Sequence, residues 1–151
     1  MNENVNNGHI DIVLCEDNAD EAELTIRALS KQGLANSLIH LKDGEELLHY
    51  LHCTGTYTGR NAEYQPRLII LDLKMPKVDG LEVLKKLKSD TRTCMIPVVL
   101  LTSSKEEKDI RESYMLGVNS YIVKPVDFEG YVKAISTMGL YWLILNQTCQ
   151  L

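Results

Sequence analysis

No apolar run in this 151-residue chain approaches membrane-spanning length, and the polar, Asn-rich start Met1–Gly8 lacks a signal-peptide core. Basic residues are outnumbered, with 16 Lys and Arg against 21 Asp and Glu. The formal charge of −5 argues against a general nucleic-acid binder, which needs a basic face to neutralise phosphates. The four cysteines (Cys15, Cys53, Cys94, Cys149) show no CxxC spacing. Neither a disulfide framework nor a zinc site is indicated, so free thiols are expected. The four histidines are equally dispersed and read as surface or packing residues. There is no internal repeat, and no low-complexity tract beyond the Asn-rich start. A cytoplasmic protein with one core is expected: a flexible N-terminal segment, residues 1–9, then a single domain, residues 10–151.

What is there is organised around Leu68–Gly80. Four consecutive apolar residues, Leu68–Leu71, run into Asp72, followed by Met75-Pro76 and Asp79-Gly80. A short, uniformly apolar run bounded by turn residues reads as a strand buried on both faces of a parallel sheet. Asp72 then stands at the strand's carboxyl end, where open α/β sheets carry their ligand crevices.

The same pattern recurs along the chain. Strands are expected at Ile10–Cys15, Ser37–Leu41, Leu68–Leu71, Ile96–Leu101 and Ser120–Val123. Helices lie between them. The first opens at Asp20-Glu21, carries Ala22, Ile26 and Leu29 inward and stops at Gly33. The second follows the Asp43-Gly44 turn, with Leu47, Leu48 and Leu51 as its inner stripe; the third, Leu81–Lys88, buries Val83, Leu84 and Leu87. Ser104 with Glu107 has capping-box spacing, so a fourth helix is expected there, with Ile110, Tyr114 and Val118 on its apolar edge. A fifth is expected over Phe128–Leu145 with Val132, Ile135 and Met138 inward. The connection Thr54–Arg67 is unusually long for a compact α/β domain, and such connections are usually functional or mobile. Five apolar strands alternating with helices predict an α/β, doubly wound parallel sheet of the flavodoxin-like type, order 2-1-3-4-5, with helices on both faces.

Four strand ends in such a sheet share one edge. The first delivers Glu16 and Asp17, the third Asp72, the fourth Thr102 and the fifth Lys124. Each has an ordinary alternative: helix-start acids, a loop cap, a helix cap, a solvated lysine. Taken together they form one chemistry. Three carboxylates in one crevice cannot all ionise without compensation. A hard divalent cation supplies it, and an all-oxygen, partly hydrated site suits Mg²⁺, with the Lys74 backbone carbonyl as a further ligand. Asp72 then becomes a usable nucleophile towards phosphorus, with Lys124 and Thr102 placed for phosphoryl oxygens.

Glu16-Asp17, Leu71–Pro76 with Asp79-Gly80, Leu101–Ser103 and Val123–Pro125 together resemble the receiver domain of bacterial two-component response regulators. The resemblance spans roughly Ile10–Leu145. It implies that Asp72 accepts a phosphoryl group from a sensor histidine kinase, with Asp17, Asp72 and the Lys74 carbonyl on Mg²⁺ and Glu16 helping through water. It also implies that Thr102 is the switch hydroxyl, Lys124 the phosphate-binding lysine and Tyr121 the aromatic switch of a helix 4/strand 5/helix 5 surface. The Thr54–Arg67 insertion and Ser120–Asp127 resemble the small regulators that partner bacterial and cyanobacterial phytochromes. That group implies a homodimer, for which Tyr121, Tyr131, Tyr141 and Trp142 are candidate interface residues.

Two other readings compete. An aspartyl-phosphate phosphatase would want a second carboxylate two residues after Asp72, where Lys74 stands instead. A receiver-like docking module that is never phosphorylated is expected to lose members of the set Glu16, Asp17, Asp72, Thr102 and Lys124, all of which are present. With no output domain expected in residues 10–151, signalling is expected to pass through protein contacts. The kinase, its signal and the effector are not named by any residue pattern.

Overall fold

The computed structural model describes residues 10–149, so the expected flexible segment 1–9 lies outside the described residues. Five strands are observed: β1 Ile12–Cys15, β2 Leu38–Leu41, β3 Leu68–Leu71, β4 Val98–Thr102 and β5 Ser120–Val123. All pair in parallel, in the order β2-β1-β3-β4-β5. Helices α1 (Ala19–Lys31), α2 (Gly44–His52), α3 (Gly80–Ser89), α4 (Glu107–Met115) and α5 (Phe128–Leu140) connect and cover them. The expected fold class and strand order are therefore those observed. Among the described residues, no helix is long and apolar enough to cross a membrane.

Strand alternation divides the core in two. Val13, Cys15, Ile69, Leu71, Val98 and Leu100 face α2 and α3, packing on Leu47, Leu51, Val83, Leu84 and Leu87. Ile12, Leu14, Leu68, Ile70, Val99 and Leu101 face α1 and α5, against Ala22, Leu29, Ile135 and Met138. The three central strands are buried on both faces, and each fully buried aliphatic side chain contributes about 1.5–3 kcal/mol. The edge strands are wetter: no residue of β5 is fully buried.

Several details differ from the sequence reading. The inward stripes are shifted: Ile26, Leu48 and Val132 are half-buried, while Thr25, Tyr50 and Tyr131 take core positions. Ser104 does not cap through Glu107. Its hydroxyl instead donates to the Asp109 carboxylate at 2.6 Å, and α4 begins only at Glu107. Tyr114 is exposed, and α4 buries only Ser113, because its sequence is too polar to offer a full apolar stripe. The last helix is α-helical only to Leu140; Tyr141–Leu145 form a wider, π-helical turn.

The Thr54–Arg67 connection packs against α2. Its 3₁₀ turn, Gly55–Tyr57, sets Tyr57 edge-on to Tyr50, and the Tyr57 hydroxyl donates to Glu46 at 2.7 Å. The Arg60 guanidinium lies 4.1 Å above the Tyr50 ring and donates to the Tyr50 carbonyl at 2.8 Å.

Candidate functional site

Parallel pairing brings the carboxyl ends of β1, β3, β4 and β5 to one edge. The ladder continues past the strands: the Asp72 N–H donates to the Cys15 carbonyl at 3.1 Å, and the Lys124 N–H to the Thr102 carbonyl at 2.7 Å. The backbones that carry Glu16, Asp72, Thr102 and Lys124 are thus locked in register before any side chain meets.

Lys124 is the hub. Its ammonium lies 2.6 Å from Glu21 Oε2, 3.1 Å from Glu16 Oε2 and 3.3 Å from Asp72 Oδ2. The lysine side chain is almost fully buried, as are those of Glu16 and Asp72, whereas Glu21 is 41% exposed. Burial opposes the charge on Lys124, but the Glu21 hydrogen bond and the charges of Asp72 and Glu16 outweigh it and raise its pKa. Glu16 has the reverse problem. Its carboxyl is pushed up to about 8, first by burial and then by the charge of Asp72, with Lys124 pulling the other way. One cation serves three acids, and the site holds an excess of negative charge.

The backbone completes the setting. Asn18 caps α1 by accepting from the N–H groups of Asp20 and Glu21, and its own N–H donates to Glu16 Oε1 at 3.1 Å. His40 Nε2 donates to the Glu16 carbonyl at 2.7 Å. Asp72 Oδ1 accepts from the Lys74 N–H at 3.3 Å. Gly80 is required where α3 starts beside this loop: a Cβ there would come 2.6 Å from the Leu73 Cα and closer still to the Asp72 carbonyl.

Glu16, Asp72 and Lys124 are therefore brought together as the strand ends predicted. Adjacent residues at the end of β1 point opposite ways, so Glu16 turns in while Asp17 is exposed and stands outside the acidic group. Lys74 is exposed in the loop after β3. Thr102 is fully buried, its hydroxyl accepting from the Ser104 N–H at 3.3 Å. Tyr121 packs against the core, with its hydroxyl donating to the Ser104 carbonyl at 3.0 Å. The residue missed is Glu21. It reads as a helix-start acid, and only its position one residue past Asp20, on the turn that Asn18 folds towards the edge, distinguishes it.

Carboxylate oxygens of Glu16, Glu21 and Asp72 all lie within 4.8 Å of one another. The donors are hard oxygens, and their summed charge exceeds what Lys124 compensates. Glu16 and Asp72, with the exposed Asp17 next to Glu16 in the chain, offer hard oxygens that fit a divalent cation, while Glu21 is held by Lys124 at 2.6 Å. A cavity of about 710 Å³ lies at the opposite end of the sheet, lined by His52, Gln65, Arg67, Arg92 and Ile96, with none of the strand-end acids in its walls.

A doubly wound sheet with a lysine bridging acids at its carboxyl edge defines the class of protein. The chain matches the response regulator receiver domain over residues 12–136 and belongs to that family. It is 41% identical over 139 residues to the probable methanogenesis regulatory protein FilR2 of Methanothrix harundinacea, covering 91% of this chain and 86% of that protein. It is 36% identical over 132 residues to response regulator Rcp1 of Synechocystis sp., covering 87% and 88%. The Mn²⁺-bound crystal structure of Rcp1 superposes with a TM-score of 0.85, at 34% identity, covering 91% of this chain and 97% of that one. The phosphorylated cyanobacterial phytochrome response regulator RcpA superposes with a TM-score of 0.86, at 36% identity, covering 93% and 98%. The chain is thus a receiver-domain response regulator related to the regulators of phytochromes.

Proposed function

We propose that this chain is a phosphorelay response regulator whose Asp72 accepts a phosphoryl group from a sensor histidine kinase, a phytochrome among the candidates. The observation that carries this reading is the contact of the buried Lys124 ammonium with Asp72, at 3.3 Å, on the edge where Thr102 also ends its strand. An Asp72 oxygen forms the new bond to phosphorus as the phosphoramidate P–N bond of the kinase histidine breaks and the imidazole leaves with the electron pair. Lys124 and Thr102 are the groups that meet the transferred oxygens. Mg²⁺, held by Asp17, Asp72 and the Lys74 carbonyl with Glu16 behind them, would neutralise charge on the phosphoryl group. The chain turns over no external substrate, catalysing only its own phosphorylation and dephosphorylation.

Tyr121 and Thr102 both engage Ser104, through its carbonyl and its N–H, so a shift of Thr102 towards the phosphoryl group is transmitted to the ring and to α4. The surface it changes, α4–β5–α5, exposes Tyr114, Met115, Val126 and Phe128 and is the face for a homodimer or an effector protein. Tyr141 and Trp142, edge-on at 5.0 Å, lie at the end of α5 and can extend that face. Tyr131 is not available to it, because its side chain is buried against α1. No nucleic acid or membrane partner is proposed, and the site of action is the cytoplasm, with the kinase.

Incubation with acetyl phosphate, with and without Mg²⁺, followed by a phosphate-affinity gel and a sizing column, tests this reading. A Mg²⁺-dependent adduct that alters the oligomeric state is expected. Mg²⁺ binding without an adduct would overturn it in favour of a docking module, and steady phosphate release from an external ester in favour of a phosphatase.

A further inference from the structure

Lys124 has run out of donors. An ammonium carries three N–H groups and no acceptor, and here three carboxylates surround it, at 2.6 Å (Glu21), 3.1 Å (Glu16) and 3.3 Å (Asp72). Any further oxygen that Lys124 is to bind must displace one of them. The three acids differ in what waits for them when they let go. The side chains of Glu16 and Asp72 are 5% and 11% exposed, so either would be left charged and desolvated. Glu21 is 41% exposed and can rotate directly into water. Its backbone need not follow. The Glu21 N–H is held by Asn18 Oδ1 at 3.1 Å, and its carbonyl accepts from Thr25, whose hydroxyl is tied to Tyr131 at 2.7 Å. The movable part is one side chain on a fixed helical turn.

We propose that Glu21 is a gate on Lys124: its carboxylate occupies the ammonium in the unmodified protein and is displaced when phosphoryl oxygens arrive. This rests on Asp72 being the acceptor. With acetyl phosphate as donor, an Asp72 oxygen forms the new P–O bond while the bond from phosphorus to the acetyl oxygen breaks, and acetate leaves with the electron pair. No proton transfer is required. The N–H released by Glu21 then meets a phosphoryl oxygen. Until it swings away, Glu21 withholds that donor and sets a negative charge in the path of an anionic reagent. It is a positioning residue, acting through Lys124.

The test is phosphoryl uptake from acetyl phosphate by the full chain in saturating Mg²⁺, comparing wild type, Glu21→Gln and Glu21→Asp. Glu21→Gln is expected to lower the half-saturating donor concentration by about threefold or more. Its maximal rate and its Mg²⁺ affinity by calorimetry should stay within about twofold of wild type. Glu21→Asp keeps the charge but is one methylene too short for the 2.6 Å contact, so it should behave like Glu21→Gln. An unchanged half-saturation in Glu21→Gln overturns the gate. So does a loss of Mg²⁺ affinity of about tenfold, which would make Glu21 a cation ligand. A Glu21→Asp variant that matches wild type while Glu21→Gln does not would reduce the effect to charge alone and equally overturn it. If wild type takes up no phosphoryl group, Asp72 as acceptor has failed, and the hold on Lys124 is read separately by nitrogen NMR of its ammonium. A shift in Glu21→Gln then supports the hold, and an unmoved resonance overturns it.

Discussion

Thr25 on α1 and Tyr131 on α5 share a buried hydroxyl–hydroxyl hydrogen bond of 2.7 Å. It ties together the two helices that cover one face of the sheet, and Thr25 also donates to the Glu21 carbonyl at 3.0 Å, one turn from the acidic edge. Replacing Tyr131 by Phe removes one partner while leaving Thr25 its helix bond, so a loss of about 1 kcal/mol in urea unfolding is expected. Because the phenol is buried, the oligomeric state should not change. A dissociated dimer in this variant would return Tyr131 to the interface.

Glu16 makes stability depend on pH in a direction unusual for a carboxylate. Its folded pKa, about 8, lies above its ordinary 4.5, because burial disfavours the charged form. The folded state therefore binds the extra proton, and the stabilisation is complete below about 4.5 and lost as pH rises through about 8. In EDTA, the urea midpoint should fall across that window, and Glu16→Gln should flatten the fall. Added Mg²⁺ should lessen it in wild type, since a cation favours the ionised acid. A midpoint that rises with pH in EDTA would contradict this picture of the site.

Gly80 lets α3 start against the loop that follows Asp72. A methyl group there would press on Leu73 Cα and the Asp72 carbonyl, backbone atoms that cannot rotate away. Gly80→Ala should cost about 1–3 kcal/mol by urea unfolding and slow phosphoryl uptake, because it displaces the acceptor strand's end. Unchanged stability would mean that this loop relaxes freely.

Tyr121 separates chemistry from output. Its hydroxyl bonds the Ser104 carbonyl and touches none of the acids, so Tyr121→Ala should leave phosphoryl uptake within about threefold while weakening any phosphorylation-dependent change on a sizing column. Uptake lost together with the oligomeric response would place the ring in the acceptor site instead.

Most of the fold was legible because the central strands are short, apolar throughout and end in chemistry-bearing residues. Leu68–Leu71 matched residue for residue, and Glu16, Asp72 and Lys124 met as the shared edge required. The misses have local physical causes. Tyr50, Thr25 and Tyr131 entered the core through hydroxyl partners or a cation over the ring, which a count of aliphatic residues overlooks. Ser104 spent its hydroxyl on Asp109, so the capping-box spacing carried no box. Glu21 was hidden because a first-turn acid is accounted for by the helix dipole, and only Lys124, 103 residues away, reveals its second role.

The most direct test of the account locates the phosphoryl group. Wild type and Asp72→Asn would be treated with acetyl phosphate and Mg²⁺, the acyl phosphate reduced with borohydride, and the peptides sequenced by mass spectrometry. The account predicts reduction at Asp72 alone in wild type and none in Asp72→Asn. Reduction at Asp17 or Glu16, or equal reduction in both proteins, would contradict it.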